Sequence, residues 1–280
     1  MNRYFINDGN MNVHITEWGN SNKPVIFCLH GLGSTSLSFI EVAEQLKNEF
    51  RFISIDAPGH GKTIPFEKIE EYEMPSMVNW LNNILNFLHI EKFFFLSHSW
   101  GSFVSLFYIL NFPEKVKGAI LIDGGYQTKR LQVKSLEEEV SYYLSDFEDY
   151  VETWEQFLDE AVYGDVSRRS SLLNLAGKDL ALEKDNRFYW HARGETAGNI
   201  IKAMHKHETV DIYEELPSNI LLLRASLPKE QDDYRGLTSK LFEEKARGIV
   251  KLIPNTSHML HWDNPDLVVD EIRENWSNSY

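Results

Sequence analysis

Short apolar runs alternate along this chain with longer stretches whose apolar positions recur every three or four residues. Residues 3–7 and 12–18 read as two strands of an antiparallel hairpin turning at Asp8-Gly9-Asn10. Residues 24–29 are continuously apolar and end in His30-Gly31-Leu32-Gly33, after which Phe39, Val42, Ala43 and Leu46 carry helical spacing over 38–47. A strand is expected at 50–55, ending in Asp56-Ala57-Pro58-Gly59-His60-Gly61, and a helix over about 75–89. The strand at 92–96 runs into Ser97-His98-Ser99-Trp100-Gly101 and a helix to about Asn111; the strand at 116–122 runs into Asp123-Gly124-Gly125. Later come a strand at 220–225, a helix near 232–246, a strand at 249–253 and a last helix from Pro265.

Continuously apolar strands separated by amphipathic helices predict a mostly parallel, eight-stranded sheet with helices on both faces, an α/β fold. Ligands of such sheets sit at the carboxyl ends of the strands. His30, Asp56, Ser99 and Asp123 all fall at such ends. Between 126 and 215 the pattern breaks into a helical, aromatic stretch with no convincing strand. That stretch reads as a helical cap (lid) inserted into a core made of residues 1–125 and 216–280.

At 280 residues the chain has room for one large domain with an inserted lobe. A formal net charge of −14 disfavours nucleic acid and anionic membrane as partners, because both are polyanions. The single cysteine, Cys28, lies in an apolar run and reads as a buried strand thiol, so no internal disulfide framework exists. The first residues lack an apolar signal core, and no run approaches the roughly 18 apolar residues that span a bilayer. A cytoplasmic protein acting on a small molecule is the expectation, with a homodimer left open.

A serine hydroxyl needs a base to remove its proton, a group to orient that base, and donors for the oxyanion. Ser99 stands between an apolar strand and a helix, on a turn so tight that the residues two positions either side must be small. Gly101 meets that demand, and Ser97 stands where glycine is usual. The alternative for a serine before a helix is a simple N-cap. Backbone N–H groups of Trp100, at a helix N-terminus, and of Leu32, in the glycine-bearing loop, suit an oxyanion. His258, the first histidine after the last strand, is the expected base, ahead of His261; His30 reads as a structural hydrogen-bonder.

His30-Gly31, the 56–61 turn, Ser99-Trp100-Gly101 and Ser257-His258 followed by Pro265 together resemble the α/β-hydrolase superfamily over nearly the whole chain outside the insertion. In order and spacing they look like its small esterases, lactonases, C–C hydrolases and dehalogenases. Serine at position 99 disfavours an aspartyl-ester mechanism of the dehalogenase kind. The elbow Ser99-Trp100-Gly101-Ser102 also resembles that of proline iminopeptidases, but Leu32-Gly33-Ser34 lacks the proline of their loop. The resemblance makes Asp56 part of a structural turn. It usually places the acid after the strand at 220–225, where Pro228 stands, with Glu230, Asp232 and Asp233 beyond it. Some members take the acid from the preceding sheet strand instead, which here is Asp123. Asp123 is preferred, with the other three kept open.

Tyr126, Trp154 and Trp190 are the aromatic residues of the insertion expected to line an apolar substrate pocket. Lys202, His205 and His207 lack nearby sheet-anchored carboxylates, so no metal is expected, and the serine chemistry requires no cofactor. The function expected is hydrolysis of a small ester, lactone or thioester. C–C bond hydrolysis or other cofactor-free chemistry on the same residues, and a ligand-binding receptor with little turnover, are the competing readings.

Overall fold

A computed structural model describes residues 1–7, 9, 11–132, 134–164, 166 and 168–277. The expected turn at Asp8-Gly9-Asn10 lies in part outside them. In chain order come β1 (Asn2–Asn7), β2 (Asn12–Trp18), β3 (Val25–Leu29), α1 (Ile40–Leu46), β4 (Arg51–Ile55), α2 (Met74–Phe87), β5 (Phe93–His98), α3 (Trp100–Asn111) and β6 (Val116–Ile122). The insertion follows, with α4 (Leu136–Asp146), β7 (Tyr150–Val151), α5 (Trp154–Phe157), α6 (Ser171–Leu180), β8 (Ala181–Lys184), β9 (Arg187–Trp190) and α7 (Gly194–Lys206). The chain then returns through β10 (Ile220–Ala225), α8 (Asp232–Ala246), β11 (Ile249–Ile253), α9 (Leu260–Asp263) and α10 (Pro265–Trp276).

Eight strands form one sheet in the order β1-β2-β4-β3-β5-β6-β10-β11. The six strands from β4 to β11 run parallel, and β1 and β2 add an antiparallel edge. The chain has the α/β-hydrolase fold. Its core explains the apolar runs. Phe27, Leu29, Phe93, Phe95, Leu121 and Leu222 face one side with α2, α3 and Phe242 of α8. Ile26, Cys28, Phe94, Leu96, Ile120 and Leu223 face the other with α1 and α10. Both faces are covered, so the central strands are apolar on both sides and the period of two disappears.

The insertion is not wholly helical. β7, β9 and β8 form a small antiparallel sheet. The β8–β9 hairpin turns through Asp185 and Asn186, at φ 52° and 57°, the left-handed pair that a two-residue hairpin requires. All four residues of β9 are half-buried, so no alternation marked it as a strand. Leu32, in the loop after β3, packs against a cluster of Phe147, Ala192 and Ala197. The insertion therefore lies against the carboxyl edge of the sheet. Among the described residues no helix is long and apolar enough to cross a membrane.

At the end of β4, the fully buried Asp56 accepts the backbone N–H groups of Ser36 (2.6 Å) and Lys62 (2.9 Å) and meets His14 Nδ1 at 2.7 Å. Burial alone would raise its carboxyl; the hydrogen bond and charge of His14 and the two amides outweigh burial and bring it down to about 2. A folded-state value below the ordinary one stabilises above about pH 4, on the order of 2 kcal/mol, and that contribution is lost as the pH falls toward 2. Asp56→Ala is expected to lower unfolding stability at pH 7 by about 3–5 kcal/mol, because it strands buried partners. Urea unfolding should show the gap between variant and native protein narrowing from pH 4 downward; a gap constant with pH would contradict it.

Candidate active site

Strand β5 delivers the chain to Ser99 at φ 52° and ψ −121°, and α3 starts at the next residue. A non-glycine residue held there costs roughly 1–3 kcal/mol, which the surrounding packing must offset. The packing leaves little choice. A Cβ on Gly101 would stand 2.3 Å from the Leu29 carbonyl oxygen, and one on Gly124 would stand 2.3 Å from that of Ser99. Ser97 fits in place of glycine because its hydroxyl sits among those of Ser102 (3.1 Å) and Ser105 (3.0 Å). The register Ser97↔Leu121 and His98↔Ile122, with the Ser99 amide on the Ile122 carbonyl (3.0 Å), sets Ser99 beside the end of β6.

His258 comes from the loop between β11 and α9. Asp263 Oδ2 accepts both the Ser257 N–H (2.6 Å) and hydroxyl (2.7 Å), and His98 Nε2 donates to the His258 carbonyl (2.9 Å). So placed, His258 Nε2 lies 2.8 Å from Ser99 Oγ and His258 Nδ1 lies 2.7 Å from Asp123 Oδ2. An ionised carboxylate only accepts, so Nδ1 carries the proton and Nε2 accepts from the serine. The three residues are one hydrogen-bonded line.

Asp123 has no exposed surface and sits at φ 41°. Its Oδ1 accepts the Tyr126 hydroxyl (2.9 Å) and the Ala225 N–H (3.1 Å), and Arg235 Nη1 stands 3.5 Å from Oδ2. Burial would raise this carboxyl, but the hydrogen bond and charge of His258, then the charge of Arg235 and the Ala225 amide, hold it below the ordinary value. Glu230, Asp232 and Asp233 are exposed, and Asp232 pairs with Arg224. Only Asp123 among the four meets His258.

His261 is buried with Nε2 on the Ser38 hydroxyl (2.9 Å), and burial followed by the charge of His258 pushes it down to about 3. His30 accepts the Ala57 N–H on Nε2 (3.0 Å) and donates from Nδ1 to its neighbour's carbonyl, Gly31 O (2.7 Å). Both are structural. Trp100 follows Ser99 at the start of α3, and Leu32 lies in the loop after β3; among the described residues neither amide is hydrogen-bonded to another group. Tyr126 is fully buried with its hydroxyl on Asp123, not in an open pocket. Trp154 stacks on Phe157 (5.9 Å), and Trp190 lies 5.9 Å from Phe147 and 5.8 Å from Phe157, inside the insertion's own aromatic packing. A cavity of 570 Å³ opens between the loop containing Ile64 and Phe66 and the insertion residues His191, Arg193 and Thr196, and Tyr126, Trp154, Trp190, Ser99 and His258 are not among the residues that line it.

Two contributors escaped the sequence reading. Arg235 lies in the first turns of α8, where a charged residue reads as a solvated surface position, yet it is buried, and nothing in its spacing points at Asp123. His98 sits in the elbow itself; burial, then the charges of His261 and His258, hold it well below the usual histidine value, so it stays neutral and holds the His258 backbone.

Residues 24–265 match the family described as alpha/beta hydrolase fold. A serine hydrolase-like protein of Danio rerio is 31% identical over 106 residues, 38% of this chain and 32% of that protein. The matched stretch spans between 32% and 52% of the length of the first curated relatives. Among solved structures, a thioesterase domain from the curacin biosynthetic pathway superposes with a TM-score of 0.80 at 16% identity, covering 97% of this chain and 99% of that one. An E-2-(acetamidomethylene)succinate hydrolase gives 0.80 at 17% identity, with 97% of each chain covered. At these identities the two structures attest the fold.

The packing at the elbow makes a stability prediction. Gly124→Ala should cost more than 2 kcal/mol, because the clash is with backbone that cannot swing aside. Gly236→Ala, on α8 with nothing nearer than 3.9 Å, should be neutral or gain up to about 1 kcal/mol. Urea midpoints of the two variants, measured together, test the contrast.

Proposed function

This chain belongs to the α/β-hydrolase family, and from that premise we propose that it is a serine hydrolase of small esters, lactones or thioesters acting through an acyl-enzyme on Ser99. The observation that carries the reading is the hydrogen-bonded line Ser99–His258–Asp123, at 2.8 and 2.7 Å, on a strained strand-to-helix turn. A merely N-capping serine would accept a hydrogen bond from the helix it opens, and Ser99 caps nothing with its side chain.

In this mechanism Ser99 Oγ attacks the substrate carbonyl carbon while its proton passes to His258 Nε2. The carbonyl oxygen takes up the electron pair and is held by the Leu32 and Trp100 N–H groups. Collapse of the tetrahedral adduct restores the carbonyl and expels the alcohol or thiol, which receives the proton from His258. Water then repeats the sequence on the acyl-enzyme, with His258 again as base, and releases the acid and Ser99. Asp123 keeps the imidazole in the Nδ1–H tautomer and balances the charge it gains.

Residues 126–215 act as the cap over this site, and their aromatic content suits an apolar acyl or leaving group. The partner is a small molecule, and the chemistry runs without metal or cofactor. The thioesterase among the structural neighbours argues for testing thioesters beside oxygen esters.

Ser99→Ala should reduce turnover of a short p-nitrophenyl ester by at least about 10³-fold and abolish labelling by a fluorophosphonate, with near-ultraviolet circular dichroism unchanged. Full activity in that variant would overturn the proposal. A native protein that hydrolyses a diketone but is not labelled would favour C–C bond cleavage.

A further inference from the structure

The Asp123 carboxylate faces a full positive charge even when His258 is neutral. Arg235, from α8, is 5% exposed at its side chain, and its Nη1 lies 3.5 Å from Asp123 Oδ2, the oxygen that also accepts His258 Nδ1–H. The same Nη1 donates to the Leu227 carbonyl at 2.6 Å. Leu227 in turn donates its N–H to the Thr256 carbonyl at 2.9 Å, two residues before His258. One guanidinium thus touches the acid directly and the base through a single backbone relay.

We infer that Arg235 is a positioning residue of the acid–base pair, balancing the buried charge of Asp123 and pinning the loop that carries His258. The inference rests on the reading of His258 as the base. Its physical content is a competition for the carboxylate. Against an unbalanced Asp123, a protonated imidazole would feel the full attraction of the buried carboxylate. With Arg235 already balancing that charge, the imidazolium gains less from the carboxylate. It gives up its proton more readily to a leaving group.

The other groups facing the pair do not supply this effect. On the Asp123 side, Tyr126 donates a neutral hydroxyl, and burial, then the adjacent Asp123 charge, pushes its own ionisation far up. Arg224, on β10, is paired with Asp232. Around His258 stand Ser99, His98 and His261; burial comes first for both His98 and His261, with the charges of His261 and His258 adding for His98 and that of His258 for His261, and all of these lower them. Asp263 is engaged with Ser257. Among the described residues, Arg235 is the cation that forms an ion pair with Asp123.

The test is kcat/KM for p-nitrophenyl butyrate against pH in the native enzyme, Arg235→Met, Arg235→Gln and Arg235→Lys. The two uncharged variants should move the acidic limb of the profile up by about 0.5–1 pH unit, as expected for loss of a charge at this range. Lysine keeps the charge, so Arg235→Lys should leave the limb in place. A uniform loss of activity with an unmoved limb would show a structural role only and overturn the inference. Should the uncharged variants fail to fold, Arg235→Lys decides alone, since a displaced limb with the charge retained contradicts it.

A second readout needs no turnover. In a Ser99→Ala background, the downfield proton resonance of His258 Nδ1–H can be titrated with and without Arg235→Gln. The inference expects the midpoint to rise on losing the charge, and an unchanged midpoint refutes it. Retained ester hydrolysis in Ser99→Ala would instead defeat the proposed function, so the two failures are separate.

Discussion

An ionised carboxylate with no exposed surface is the constraint around which this site is built. Removing the Asp123 charge from water costs several kcal/mol unless hydrogen bonds and opposite charge replace the lost solvent. The replacements come from four parts of the fold: the Tyr126 hydroxyl just past β6, the Ala225 amide at the end of β10, Arg235 on α8 and His258 after β11. Each arrives only if its own strand or helix is in register. Satisfying one buried charge therefore fixes the relative placement of β6, β10, α8 and the β11 loop.

The elbow at Ser99 imposes a second constraint, steric rather than electrostatic. Ser99 is strained, and the backbone of Leu29 and of the β6 end closes around it so tightly that Gly101 and Gly124 admit no Cβ. The two constraints meet at one place, because Gly124 follows Asp123 in sequence. The residue that lets the β6 loop approach Ser99 is the neighbour of the residue that hydrogen-bonds His258. That adjacency shortens the path along which either could drift, and preorganisation of this kind is what lets fixed groups stabilise developing charge without moving.

Much of this was legible from residue order. Phe93-Phe94-Phe95-Leu96 reads as a strand buried on both faces, and the structure places alternate members in the two cores. Ser99, Gly101 and His258 carry signals in their local spacing, because a tight turn and a post-strand loop have steric and positional requirements. The choice of acid did not, since Asp123, Glu230, Asp232 and Asp233 all stand near strand ends or loops and differ only in burial. The β8–β9 hairpin was missed because its left-handed turn uses Asp185-Asn186 and its strands are too short to show alternation. Arg235 was invisible for a deeper reason. Its partner is 112 positions away in the chain, and a helix-borne arginine reads as a solvated surface charge until the tertiary fold turns it inward.

A second buried aspartate completes the logic. In the sheet order β4-β3-β5-β6, Asp56 ends β4 and Asp123 ends β6, on either side of the β5 strand that carries Ser99. Asp56 accepts the Ser36 amide, and the neighbouring Ala57 amide donates to His30, so the segment from His30 to Ser36 is held at both ends. That segment contains Leu32, whose amide the proposed mechanism uses for the oxyanion. Asp123 thus holds His258, whose Nε2 meets Ser99, and Asp56 steadies the loop that contains Leu32. Their environments separate the roles: Asp56 is surrounded by backbone donors and a histidine outside the site, whereas Asp123 spends one oxygen on His258 and Arg235 together. Burial holds both carboxylates in place, and what each is bonded to decides which element it fixes: the segment from His30 to Ser36 for Asp56, the loop after β11 for Asp123.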